Sequence, residues 1–179
     1  MAATDTPQGV LAVVDEPAAS WEVLRAAEGV LVLDAVQDPG NVGTLARTAV
    51  GLGLGGVVVL DGTADPWGPK AVRASAGAMF HAPPVRAGAD DLASWSEREG
   101  VALLAGAASG TDVARCEAPA AWALVLGNEG AGVRPELAQH VRAVAVPLGG
   151  RFESLNVAQA GAILMYALKL RAPSDGGRE

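Results

Sequence analysis

Lysine is almost missing from this chain of 179 residues, which carries only Lys70 and Lys169. A GxxxxGK phosphate-binding loop is therefore excluded, and a Schiff-base amine has just two candidates. The single cysteine, Cys116, cannot form an internal disulfide, which suits a reducing compartment; it lies between Arg115 and Glu117 and reads as incidental. Histidine is equally scarce. His81 stands beside a double proline and His140 at a helix end, neither with cysteine or carboxylate partners at metal-ligand spacing, so no metal is expected. A GxSxG nucleophile elbow is absent too. Aromatics make up 4% of the residues, and no uncharged apolar run approaches the ~20 residues of a membrane span. Residues 1–9 lack a basic stretch followed by an apolar core, so no secretory signal and no membrane partner are expected. Positive charge is also short: 13 Lys and Arg stand against 20 Asp and Glu, a net charge of −7. That balance disfavours a broad nucleic-acid surface, although a local basic cleft can coexist with an acidic remainder.

What the chain does have is aliphatic residues arranged in alternating patterns. Half of it is hydrophobic, and its length suits one domain with a sizeable core, since single domains cluster at about 100–200 residues. Short apolar runs predict strands at residues 10–14, 30–35, 57–60, 101–107, 122–126 and 144–146. Between them, helical patterns span residues 42–52 (capped by Asn41), 66–78, 90–99 and 135–141, and a final helix runs from 154 to 170. Residues 15–27 are weakly patterned, and tails at 1–9 and 172–179 flank a domain at 10–171. The alternation predicts an α/β fold: a mostly parallel sheet of about six strands with helices on both faces. Gly51, Gly53 and Gly56 spell GxGxxG, but they follow a helix and open a strand, the reverse of the dinucleotide-binding order. They read as a helix end and a tight turn.

In such sheets ligands lie beyond the carboxyl ends of the strands. Three loops fall there, at residues 37–43, 127–133 and 147–156. The last leads into an unusual helix, in which Leu155, Val157, Ala158, Ala160, Ala162, Ile163, Leu164, Met165, Tyr166, Ala167 and Leu168 leave almost no polar face. A helix apolar all round is buried on more than one side. Ser154 reads as its N-cap, with Glu153 and Asn156 beside it, where free N–H groups favour an electron-rich partner. Taken alone, that cluster is accounted for by capping, and a ligand role stays open.

Three segments in order resemble the motifs of the SpoU (TrmH-like) RNA 2′-O-ribose methyltransferases: DPGNVGTLARTA (38–49), LGNEGAGV (126–133) and VPLGGRFESLNVAQAGAILMYAL (146–168). PWGPKAVRASAGAMFHAP (66–83) is also similar, and the resemblance spans about residues 10–170. It implies a C-terminal segment threaded into a deep trefoil knot, an exception to the rule against knots. It further implies S-adenosylmethionine as methyl donor, a cytoplasmic homodimer, and RNA as substrate, with rRNA favoured over tRNA. A catalytically idle dimeric RNA-binding module is the rival reading, disfavoured because the motif polar residues are all present.

By the same resemblance, Arg47 is the essential arginine. Its guanidinium can fix a phosphate bidentately and favour a nearby alkoxide while itself staying charged. Asn41 joins helix cap and site, Glu129 orients Arg47 or the substrate, and Ser154 and Asn156 hold loop and substrate near the donor. Donor-binding positions are Gly127, Val146 and Leu155, with Leu126 and Leu148 lining the adenine pocket. Lys70, Arg73, Arg86, Arg134 and Arg151 are candidates for an RNA cleft. Many relatives carry an RNA-binding domain before a stretch like TPQGVLAVV (6–14), so the chain is expected to be the catalytic part of a longer protein.

Overall fold

The computed structural model describes residues 12–150 and 154–171. Val10, Arg151, Glu153 and both predicted tails lie outside the described residues. Six strands form one sheet: β1 (Val30–Leu33), β2 (Val57–Leu60), β3 (Val85–Ala87), β4 (Ala102–Asp112), β5 (Trp122–Leu126) and β6 (Val141–Ala145). Their order across the sheet is β3-β2-β1-β5-β4-β6, and every pairing is parallel. Every residue of β1, β2 and β5 is buried, which is why these strands read as unbroken apolar runs with no polar alternation.

The pleat divides those side chains between two cores. Leu31, Leu33, Val57, Val59, Leu124 and Leu126 point to one face, under α1 (Pro39–Gly51) and the C-terminal helix α5 (Val157–Arg171). Val30, Val32, Val58, Leu60, Ala123 and Val125 point to the other, where Leu92 and Trp95 of α4 (Ala89–Glu99) cover them. Helices therefore lie on both faces, as the alternation predicts. The glycines at residues 51–56 do form a helix end and turn, with Gly53 at φ 68°.

Several predicted elements differ. Residues 12–14 form no strand, and Val13 is 94% exposed. The sixth strand is instead β3, a three-residue edge strand too short to signal itself between Pro84 and α4. The helix predicted over 66–78 is two short ones, α2 (Pro69–Ser75) and α3 (Ala78–His81), parted by Ala76 and Gly77 in the left-handed region. Residues 135–141 hold one 3-10 turn, Pro135–Leu137, and then enter β6. The helix predicted over 90–99 packs on the sheet, with Leu92, Trp95 and Ser96 buried and Trp95 stacked on Trp21 at 5.2 Å.

Strand order reverses between β1 and β5. The gap beyond their carboxyl ends is the topological switch point, where open α/β sheets place their ligands.

Candidate functional site

The site begins where β1 ends. Asp34 is fully buried, and Ala35 adopts φ 56°, a conformation that costs a non-glycine residue about 1–2 kcal/mol. Local hydrogen bonds hold it there: the Ala35 N–H donates to Thr63 Oγ1 at 2.9 Å, and its carbonyl accepts from Gln37 Nε2 at 2.9 Å and Asn128 Nδ2 at 3.1 Å. The kink turns the chain into α1. Asp38, not Asn41, caps that helix, accepting from Gly40 N at 2.8 Å, with Pro39 at the first helical position. Lys70 Nζ lies 2.6 Å from the Asp38 carboxylate, and that contact, with the Gly40 N–H, holds the acid below the usual carboxylate range.

Asn41 is thereby released from capping, and its amide joins the other two loops. Its Nδ2 donates to Glu129 Oε1 at 3.2 Å, and its Oδ1 accepts from Asn156 Nδ2 at 3.3 Å. Asn156, not Ser154, caps α5: its Oδ1 accepts from Ala158 N at 2.8 Å and Gln159 N at 3.4 Å. One hydrogen-bonded chain, Asn156–Asn41–Glu129, thus runs across three loops that are far apart in sequence.

Glu129 also accepts from the Gln37 N–H at 3.4 Å. Partial burial pushes its carboxyl up. Bonds from its own backbone, from Asn41 and from the Gln37 and Asp38 N–H groups together outweigh this, so Glu129 titrates below its ordinary value and is ionised at neutral pH. The loop bearing it is tightly built. Asn128 Oδ1 accepts from Gly130 N and Ala131 N, both at 2.9 Å, and a Cβ on Gly127 would overlap the Gly132 backbone.

The structure does not bring the remaining predicted residues into this chain of bonds. Arg47 sits roughly 9 Å further along α1 at 1.5 Å per residue, exposed, with no ion pair among the described residues. Ser154 is exposed and lies three residues before α5. Of the donor-binding candidates, Leu126 is 2% exposed and its methyls approach Gly106 and Gly161, so its side chain belongs to the core beneath the site and lines no open pocket. Gly127 is buried and Val146 packs against the core, whereas Leu148 (40%) and Leu155 (37%) remain exposed beside the loops.

The basic candidates also divide. Arg73 is exposed without an ion pair among the described residues, Lys70 is engaged by Asp38, and Arg86 is paired with Glu16 and Asp65. The guanidinium of Arg134 is engaged within the protein: its Nε meets Asp34 Oδ1 at 2.6 Å and its Nη2 donates to the Asp61 carbonyl at 2.6 Å. Residues missed in the sequence are Asp34, Gln37, Thr63 and Asn128. Only Asp34 left a signal, as an acid closing an otherwise apolar strand.

Known proteins resemble the chain along most of its length. The family model of the SpoU rRNA methylases matches residues 28–166. The 23S rRNA (guanosine(2553)-2′-O)-methyltransferase RlmP of Bacillus subtilis is 44% identical over 93% of this chain and 66% of its own length. Among solved structures, the SpoU methyltransferase AviRb of Streptomyces viridochromogenes, in complex with AdoMet, matches 90% of this chain and 64% of its own at 28% identity, with a TM-score of 0.81. An AdoMet-bound rRNA methyltransferase of Sinorhizobium meliloti matches 84% of this chain and 59% of its own at 34% identity, with a TM-score of 0.77. The chain thus spans 59% to 66% of the length of these relatives. With its three motif loops meeting at the switch point and the family match running from β1 into α5, this chain belongs to the SpoU rRNA methylase family.

Proposed function

We propose that the chain transfers a methyl group from S-adenosylmethionine to a ribose 2′-hydroxyl of ribosomal RNA. The observation that carries this reading is the Asn156–Asn41–Glu129 chain, which gathers the three motif loops at one point beyond the sheet. The related B. subtilis enzyme is a 23S rRNA 2′-O-methyltransferase, and two similar structures hold AdoMet. The residues present suit that donor. A sulfonium is cationic and Glu129 of the second loop is an ionised carboxylate, while exposed Leu148 and Leu155 offer apolar surface for an adenine ring. Gly127, Val146 and Leu155 would supply backbone contacts. When bound, the donor supplies an electrophilic methyl group.

The chain's own residues do the rest. Arg47, a guanidinium without an ion pair among the described residues, holds the phosphate next to the reacting ribose and stabilises negative charge on the 2′ oxygen, whose proton passes to solvent. Asn41, Glu129 and Asn156 fix the relative positions of the three loops, and Ser154 lies at the mouth of the third. This is catalysis by positioning and electrostatics. Exposed Arg73, on the same helix as Lys70, borders the RNA path.

The reading includes the family's knotted topology, with the segment after β6 passing through a loop before α5 packs on α1. It also includes a homodimer. Ile163, Tyr166 and Leu170 form an exposed stripe at helical spacing on α5, 44%, 56% and 67% exposed, suited to a second copy of the chain. No helix among the described residues is long and apolar enough to cross a membrane, and we place the protein in the cytoplasm.

Calorimetry with S-adenosylmethionine, together with radiolabelled methyl transfer to ribosomal and transfer RNA, tests the assignment. Donor binding and label in 23S rRNA ribose are expected. Label confined to tRNA would redirect the substrate, and no binding of the donor would end the reading. Mapping ribose methylation in cells with and without the gene identifies the nucleotide.

A further inference from the structure

Asp34 and Arg134 lie outside the bond chain described above, yet they anchor it. Asp34 is 0% exposed at the carboxyl end of β1, and both its oxygens are used: Oδ2 accepts from the Arg134 N–H at 2.8 Å and Oδ1 from Arg134 Nε at 2.6 Å. Arg134 Nη2 continues to the carbonyl of Asp61, just past β2. A carboxylate gripped by both the backbone and the side chain of one residue, 100 positions away in sequence, fixes where that residue sits.

That residue ends the Glu129 loop. At its start, Asn128 Nδ2 is tied to the carbonyl of Ala35, the neighbour of Asp34. The loop is therefore pinned at both ends to two consecutive residues just past β1, and between the pins Glu129 reaches out to Asn41. Asp34 is fully buried while the Arg134 side chain keeps 24% of its surface exposed; desolvation of the carboxylate consumes much of the attraction in such a pair, so its contribution to overall stability is small.

We propose that Asp34 and Arg134 are positioning residues that hold the Glu129 carboxylate against Asn41, and that they set the rate of methyl transfer through Glu129. This rests on the methyl-transfer reading. Neither residue touches substrate in this scheme. Misplacement of a site group by ~1 Å costs on the order of 10²-fold in rate, so loosening one pin is felt in kcat.

Arg134→Ala strands a buried carboxylate and confuses folding with function, so the informative variant is Arg134→Lys. It keeps the charge but has one nitrogen in place of the fork that spans Asp34 and Asp61. The full 179-residue chain is assayed with labelled donor and rRNA, with melting temperatures in parallel, in wild-type and Glu129→Ala backgrounds. The expected result is a kcat about 10- to 100-fold lower for Arg134→Lys, with KM for RNA within about twofold. In the Glu129→Ala background the same substitution is expected to cost less than about twofold, because the group it positions is gone. The double variant Asp34→Asn/Arg134→Gln is expected to be no slower than the slower of its two singles. Equal losses in both backgrounds, or losses that follow the melting temperature, would overturn the proposal while leaving methyl transfer intact. Wild-type protein that moves no methyl to any RNA would overturn the underlying reading, and this proposal with it.

Discussion

Gly43→Ala should weaken the fold even though alanine is the better helix former. Gly43 is buried in the middle of α1, where alanine in place of glycine would ordinarily gain about 1 kcal/mol. A Cβ there would overlap the carbonyl oxygen of Ala71 and come within 2.7 Å of Ala74 Cβ and 2.9 Å of Ser75 N, all on α2. Two of those three atoms are backbone and cannot rotate aside, so α1 and α2 must separate. Overpacking of this kind costs about 1–3 kcal/mol, and the rigid partners place it toward the upper end. The net loss is about 1–2 kcal/mol. For a domain of this size each kcal/mol moves Tm by about 2–4 °C, so thermal unfolding followed by circular dichroism should fall by about 2–8 °C.

Gly51 in the same helix is the control. Nothing lies within 4 Å of a Cβ there, and Gly51→Ala should leave Tm unchanged or raise it. A Gly43→Ala variant as stable as wild type, or less stable only to the extent that Gly51→Ala is, would refute close helix approach as the reason for glycine at 43. Separation of α1 from α2 also draws Lys70 from Asp38, loosening the cap beneath Asn41.

Arg47→Ala should abolish methyl transfer while calorimetry still registers the donor and stability changes by no more than about 0.5 kcal/mol, since the side chain is exposed and unpaired among the described residues; turnover at the wild-type rate would remove Arg47 from the mechanism. Glu129 titrates below the ordinary 4.5, so its contribution to stability is complete above that value and is lost as pH falls through the lowered one. Asn41→Ala removes one of the bonds that lowers it and should move the Glu129 carboxyl midpoint upward in an NMR titration, and a midpoint at or below wild type would contradict the assigned bond. Tyr166→Asp puts a charge in the exposed apolar stripe of α5 and should shift sedimentation from dimer to monomer. A species of the same size in both proteins would count against that face as the interface.

Much of the architecture was legible in sequence. Val30–Leu33, Val57–Leu60 and Trp122–Leu126 announce themselves because parallel strands covered on both faces need continuous apolar residues. The three loops beyond the carboxyl ends of β1, β5 and β6 followed from strand direction, and Asn41, Glu129 and Asn156 from motif resemblance. What local pattern could not supply was partnership. Residues 12–14 and 85–87 are short runs of similar character, and only the latter finds a free sheet edge, beside β2.

The same limit governs the site. The sequence by itself determined that an asparagine stands at 41, an aspartate at 38 and a serine at 154, each a capable cap. Only the tertiary structure decided that Asp38 and Asn156 take the caps, freeing the Asn41 amide to bridge the loops. Arg134 shows it most clearly. Its charge suggested an RNA contact, but Asp34, a hundred residues earlier, takes its guanidinium into the protein. Periodicity and capping are local interactions written in adjacent residues, whereas the pairing of a buried charge depends on which strand ends the folded sheet sets side by side.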